Sequence, residues 1–180
     1  GKLPFSFPAK LTDCGAHAFD ELSYPGDSIK QEYKEDILVG YRWHDTKKIP
    51  ALFPFGHGLS YTTFTYGKPV ASAKAMAADG TLTVTVAVKN TGSIAGKEIV
   101  QLYIGDDKCS VLRPVKELKH FAKVALAPGE EKNVTFTLTP DDLKFYDEAS
   151  AAWKYEPGKF KAYVCASSAD VRGIVSFEMQ

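Results

Sequence analysis

Residues Thr81–Lys89 read TLTVTVAVK. Leu82, Val84, Val86 and Val88 fall on one face of an extended chain, and Thr81, Thr83, Thr85 and Lys89 on the other. A period of two with β-branched residues on the apolar side is the pattern of a half-buried strand, because successive side chains of a strand point to opposite faces. The pattern repeats outward along the chain: Val100, Leu102 and Ile104; Val134, Phe136 and Leu138 against Thr135, Thr137 and Thr139; Phe160, Ala162 and Val164; Val175, Phe177 and Met179. Asp79-Gly80, Asn90-Thr91-Gly92, Pro128-Gly129 and Pro157-Gly158 punctuate it with turn chemistry. Short alternating strands, regular turns and no sustained helical period predict a mainly β fold, an immunoglobulin-like antiparallel β-sandwich over residues 67–180. Thr139-Pro140-Asp141-Asp142 predicts one helical turn, with Thr139 as cap and Pro140 at the first helical position.

The first 66 residues differ in character. Tyr33–Asp45 reads YKEDILVGYRWHD and Leu52–Phe64 reads LFPFGHGLSYTTF, the latter with four aromatic rings, an interior Pro54 and glycines on both sides of His57. Gly1–Phe7 and Ile37-Leu38-Val39 predict two short strands, the second buried on both faces. Two strands and an aromatic loop cannot satisfy their own backbone groups, so they are expected to complete a sheet supplied by something else. A start at Gly1 without an initiator Met reads as a cut end.

Composition narrows the function. The 180 residues are 44% apolar and 24% charged with zero formal net charge, ordinary for a globular domain. Zero charge argues against a nucleic-acid partner, which needs clustered Lys and Arg. The densest basic run, Lys116–Lys123, is broken by Glu117 and Phe121 and reads as a solvated strand face. No run of 18 apolar residues offers a membrane span. Cys14, Cys109 and Cys165 are isolated, and the four histidines lack ligand spacing, so neither a disulfide framework, a metal nor another cofactor is expected. Asn133-Val134-Thr135 is a glycosylation sequon by pattern.

YKEDILVGYRWHD followed by PALFPFGHGLSYTTF resembles the end of the second domain of family 3 glycoside hydrolases, the β-glucosidase and β-xylosidase family, and the opening GKLPFSFP resembles a strand of that domain. KNTGSIAGKEIVQLYIGD, RPVKELKHFAKVALAPGEEKNVTFTL and WKYEPGKFKAYVCASSADVR resemble the family's fibronectin type III-like C-terminal domain. The resemblance implies that residues 1–45 are the tail of an α/β sandwich domain, that residues 46–66 are an aromatic interdomain linker, and that residues 67–180 are the fibronectin type III-like domain. Where the family's Pro-Gly strand continues with a tyrosine, this chain has Phe160. It also implies a parent enzyme that removes β-linked glucose or xylose from the non-reducing end with retention, and a periplasmic or secreted location. The expected partners are the rest of that glycosidase, in cis or as a separate chain, and an oligosaccharide or β-glucoside reached through it.

Retaining hydrolysis needs two carboxyl groups about 5 Å apart. The acids here occur as sequence neighbours, Glu35/Asp36, Asp106/Asp107, Glu130/Glu131 and Asp141/Asp142, which on a strand point to opposite faces. The family's nucleophile and general acid/base motifs have no counterpart, so the chain is expected to carry no catalytic residue and to hydrolyse nothing alone. Arg42, Asp45, Phe53, Phe55 and Tyr61 are read as an interdomain clamp, since Arg and aromatic side chains anchor buried contacts. Trp43 and His57 are the candidates for touching a sugar, against a structural reading in which Trp43 packs on Phe53 and Phe55 and the His57 ring bonds loop carbonyls. Tyr103, Tyr146, Trp153 and Tyr155 are read as exposed and offer an alternative, a carbohydrate-binding strip; an inert immunoglobulin-like spacer is the other.

Overall fold

A computed structural model describes all of residues 1–180. The strands are β1 (Phe7–Pro8), β2 (Ala51–Phe53), β3 (Phe64–Tyr66), β4 (Val70–Ala71), β5 (Ala75–Met76), β6 (Leu82–Asn90), β7 (Gly96–Asp106), β8 (Glu117–Leu126), β9 (Glu131–Leu138), β10 (Phe145–Asp147), β11 (Ala152–Lys154), β12 (Gly158–Ser167) and β13 (Asp170–Met179), with one α-helix, α1 (Tyr41–Lys47). No helix is long and apolar enough to cross a membrane.

Two sheets face each other. One runs β5-β13-β12-β7-β8, antiparallel except for the short parallel pair β5-β13. In the other, β9 pairs with β6 along its length, while β3 and β4 share the opposite edge of β6. The alternating residues that define the pattern face inward: Leu82, Val84, Val86 and Val88 meet Leu102, Ile104, Phe160, Val164 and Phe177 in one cluster of 18 buried side chains. The fibronectin type III-like sandwich expected from the sequence is therefore the observed architecture. Thr139 caps the single turn Pro140–Leu143, as the sequence predicts, and Asp142 adds the reciprocal half of a capping box, its carboxylate accepting the Thr139 N–H at 2.8 Å.

Three readings of the first region are corrected. Ile37-Leu38-Val39 is a turn leading into α1: only Leu38 is buried, and a single apolar side chain there closes the turn without needing a sheet. In Gly1–Phe7 only Phe7 joins a strand, pairing with Phe53 of β2. The linker boundaries also shift. α1 crosses the division at residue 45, and β3 already hydrogen-bonds to β6, so the sandwich starts at Phe64.

On β7 the residues Val100 to Gly105 are buried on both faces. The inner face carries the sandwich core. The outer face, with Gln101 and Tyr103, is covered by the first region, so Tyr103 is wholly buried and not the exposed aromatic read from the sequence.

Candidate functional site

α1 is the element that ties the first region to the sandwich. Gly40, at φ +61°, turns the chain into it, and Lys48 closes it in the left-handed conformation with its N–H on the Asp45 and His44 carbonyls. His44 reinforces that end, its Nδ1 lying 3.0 Å from the Ile49 carbonyl. Four polar contacts then join one face of α1 to the start of β8 and the residues before it. The Leu118 N–H donates to Tyr41 Oη at 2.8 Å, and the Val115 N–H donates to Thr46 Oγ1 at 3.2 Å. Lys116 Nζ lies 2.5 Å from Asp45 Oδ2, and Arg42 Nη2 lies 3.4 Å from Glu117 Oε1. The Tyr41 ring meets Tyr103 edge-on and Phe55 at a tilt, with centroids 5.5 and 5.1 Å apart.

This contact is partly dehydrated. Lys116 is 7% exposed, which corrects the reading of Lys116–Lys123 as a solvated face at its first residue: the lysine just before β8 is turned to α1. Burial pushes the Asp45 carboxyl above the usual carboxylate range, and the Lys116 ammonium pulls it part of the way back. Glu117 also meets Arg113 at 3.2 Å, and Arg113 meets Asp106 at 3.3 Å, so Arg42 enters a four-residue ion-pair chain.

The glycine-flanked loop forms a second contact. Gly56 N–H donates to the Leu3 carbonyl at 2.7 Å, and Leu3 N–H to the His57 carbonyl at 2.8 Å. Ser168 N–H donates to the Phe55 carbonyl at 2.8 Å, so the loop lies against the end of β12. Gly56 is required twice over. Its φ is +80°, and a Cβ there would fall 2.4 Å from Gln101 Nε2. Gln101 is itself fixed, donating to the Ala166 carbonyl at 3.0 Å and accepting from Tyr103 Oη at 2.5 Å.

The named candidates separate accordingly. Arg42, Asp45 and Phe55 lie on the contact with the sandwich. Phe53 remains half exposed, packed only on Phe7 and His57, and Tyr61 is 96% exposed. Trp43 does not meet Phe53 or Phe55. It is buried under Gly15 and Phe19, and its indole N–H donates to the Asp13 carbonyl at 3.0 Å, which leaves no face for a sugar. The His57 ring lies against Phe53 at a tilt, centroids 5.3 Å apart, and makes no hydrogen bond to a loop carbonyl. Tyr41, Thr46, Lys116 and Gln101 belong to the contact and were missed. Each is an ordinary polar residue in sequence, and only the meeting of α1 with β7 and β8 gives it a role.

Apart from Asp106, which pairs with Arg113, most of the paired acids are engaged outside this contact. Asp107 pairs with Lys161, Glu130 with Lys132, Asp141 with Lys144, and Asp142 accepts the Thr139 N–H. Asp36 accepts the Ile37 N–H in the turn, and Glu35 packs against Gly15.

The Fn3-like family (fibronectin type III-like domain) matches residues 98–168. Over 178 residues the chain is 68% identical to Beta-glucosidase BoGH3A of Bacteroides ovatus, covering 99% of this chain and 24% of that protein. It is 49% identical to Thermostable beta-glucosidase B of Acetivibrio thermocellus, over 95% of this chain and 22% of the relative. Among solved structures, DesR, a beta-glucosidase from Streptomyces venezuelae in complex with D-glucose, superposes with a TM-score of 0.90 at 41% identity, over 100% of this chain and 23% of that one. The GH3 beta-glucosidase of Bifidobacterium adolescentis superposes with a TM-score of 0.90 at 33% identity, over 99% of this chain and 26% of that one. The chain thus spans about a quarter of the length of the proteins it matches.

Proposed function

We propose, for a chain that carries a fibronectin type III-like domain and corresponds to a segment of family 3 β-glucosidases, that its work is structural: it clamps this domain to the catalytic remainder of such an enzyme. The parent is a retaining, exo-acting β-glycosidase, exported to the periplasm or outside the cell, and its two reactive carboxylates lie in the part this chain does not span.

One observation carries the reading. Thirteen of the twenty-three large apolar side chains that remain exposed lie in the first 61 residues, a third of the chain. Those residues are fastened to the sandwich by α1 and the Gly56 loop, yet Phe5, Phe7 and Phe53 remain about half exposed and Leu59 and Tyr61 almost fully so. An apolar surface of that extent on a soluble domain marks an interface. The residues named for the clamp divide into two sets. Arg42, Asp45 and Phe55 grip the sandwich, while Phe53 and Tyr61 are left for the absent partner.

The test is reconstitution. The purified 180-residue chain releases no aryl group from an aryl β-glucoside. The preceding part of the parent enzyme, supplied separately, binds the chain and gains activity or thermal stability from it. Replacing Phe53 and Tyr61 together by Ser removes that gain while the sandwich stays folded. Turnover by the chain alone, or a parent indifferent to its presence, refutes the proposal.

A further inference from the structure

A cleft of about 910 Å³ opens on the side of the sandwich where α1, the loop Val111–Pro114 and the β10-β11 hairpin converge. It lies at the upper end of the range for small-molecule sites. Its wall has two parts. Tyr146 and Trp153, register partners across the hairpin, stand edge to face with ring centroids 5.7 Å apart. Trp153 is 66% exposed although the strand holding it is fixed. The other part holds Arg42, Arg113 and Glu117 of the ion-pair chain, with the Arg113 guanidinium over the Phe145 ring at 5.6 Å.

The hairpin is organised before any ligand arrives. Asp147 Oδ2 accepts the Ser150 N–H at 3.1 Å and pairs with Lys154 Nζ at 2.5 Å, locking the turn that presents both rings. The charges in the wall cancel: four cations and four acids line the cleft. An anion or a cation would find no net field here to compensate its lost hydration. A neutral ligand with alternating C–H faces and hydroxyls suits both parts of the wall. Its ring faces lie on the indole, and its hydroxyls reach the fixed guanidinium and carboxylate groups.

We infer that this cleft is a binding site for a neutral oligosaccharide, with Trp153 as the stacking platform and Tyr146 as its brace. The inference goes beyond the clamp proposed above and needs no turnover, so binding and reconstitution succeed or fail separately. Of the aromatics read from the sequence as a sugar-binding strip, Tyr146 and Trp153 line this cleft; Tyr103 is buried under α1 and the Gly56 loop, and Tyr155 packs against the core.

The experiment titrates the full 180-residue chain with cellotetraose, xylotetraose and a tetramer of galacturonic acid, following tryptophan emission. Trp43 is buried and Trp153 exposed, so a ligand on the hairpin shifts only the Trp153 signal to the blue. The expected result is a saturable shift with a neutral tetramer, retained in Trp43→Phe. In Trp153→Ala the Trp153 signal is gone, so amide resonances of residues 144–154 report binding there, and the neutral tetramer's saturable perturbation of them, seen in the unmodified chain, is lost. Four results overturn the inference: no saturation with either neutral tetramer, amide perturbations undiminished in Trp153→Ala, tighter binding of the galacturonic acid tetramer, or sedimentation showing a dimer that buries Trp153.

Discussion

Phe160 and Phe53 are the same side chain in opposite circumstances. Phe160 lies on β12, wholly buried and stacked on Phe177 with centroids 5.8 Å apart. Phe53 lies on β2, 41% exposed, with one ring neighbour in β1 and the His57 imidazole on the other side. The contrast extends to the regions that hold them. Every member of the 18-residue core falls between Met76 and Met179, and none in the first 61 residues. What fastens the first region to the sandwich is mostly polar: backbone hydrogen bonds around Gly56, the Asp45–Lys116 and Arg42–Glu117 pairs, and the Tyr41 hydroxyl. A region held mainly by polar contacts, with many of its rings open to water, has that apolar surface free for a further neighbour. A region that buries its rings in itself is finished.

Alanine substitutions measure that difference. Phe160→Ala is expected to lower the unfolding free energy of the chain by about 3–5 kcal/mol, the cost of a large cavity in a packed core. Phe53→Ala should change it by less than about 0.5 kcal/mol, as at an ordinary surface site. Urea denaturation of both variants is the check. A Phe53→Ala penalty near that of Phe160→Ala would mean the first region has a core of its own.

The next effect concerns the joint between the regions. Asp45→Ala leaves the Lys116 ammonium, nearly buried, without its partner. Losing one member of a buried pair costs about 3–5 kcal/mol in full, and the remaining solvent access at this site reduces that to about 1–2 kcal/mol. The loss should be local. Amide exchange should accelerate across residues 41–47 and the Gly56 loop while β6 and β12 keep their protection. Uniform acceleration across both regions would erase the distinction drawn above. Tyr41→Phe tests the same joint more gently. It removes the acceptor of the Leu118 N–H and should cost about 1 kcal/mol, with exchange at Leu118 as the most direct readout.

The sequence was legible where one physical rule dominated. Alternation placed Leu82, Val84, Val86 and Val88 in the core because one face of β6 is buried against a second sheet. The helical turn capped by Thr139 was legible because the interaction is complete within four residues. The first region was misread where burial depends on something distant. Ile37-Leu38-Val39 has the composition of a strand, but no strand lies beside it in this chain, so the segment turns and α1 follows. Tyr103 reads as outward-facing by alternation, which is correct for the sandwich taken alone; it is buried because Tyr41, with Phe55 packed on it, arrives from more than forty residues away in sequence. Lys116 and Gln101 carried no local signal, since their partners are an aspartate on a helix and a carbonyl on another strand.

The thiols give a further probe, and labelling them does not alter the sequence. Cys14 lies part-exposed in the first region, Cys109 part-exposed in the loop after β7, and Cys165 wholly buried on β12. Burial pushes the Cys165 thiol up to about 12, only partly offset by the nearby Lys116 ammonium. At pH 8 an aromatic disulfide reagent should label Cys14 and Cys109 in the native chain and reach Cys165 only on unfolding, since the thiolate is the reactive form. The sign of the pH effect follows from linkage. Between the ordinary thiol range and about 12 the unfolded chain has lost this proton and the folded chain keeps it, so the folded state binds more protons and stability falls as pH rises. Below the ordinary thiol range both states are protonated and Cys165 contributes no pH dependence. A Cys165→Ser chain should therefore show a shallower decline in stability between pH 9 and pH 11 than the unmodified chain, measured as the urea midpoint. Equal slopes, or Cys165 labelled as fast as Cys14 at pH 8, would place this end of β12 with the open region and not with the closed one.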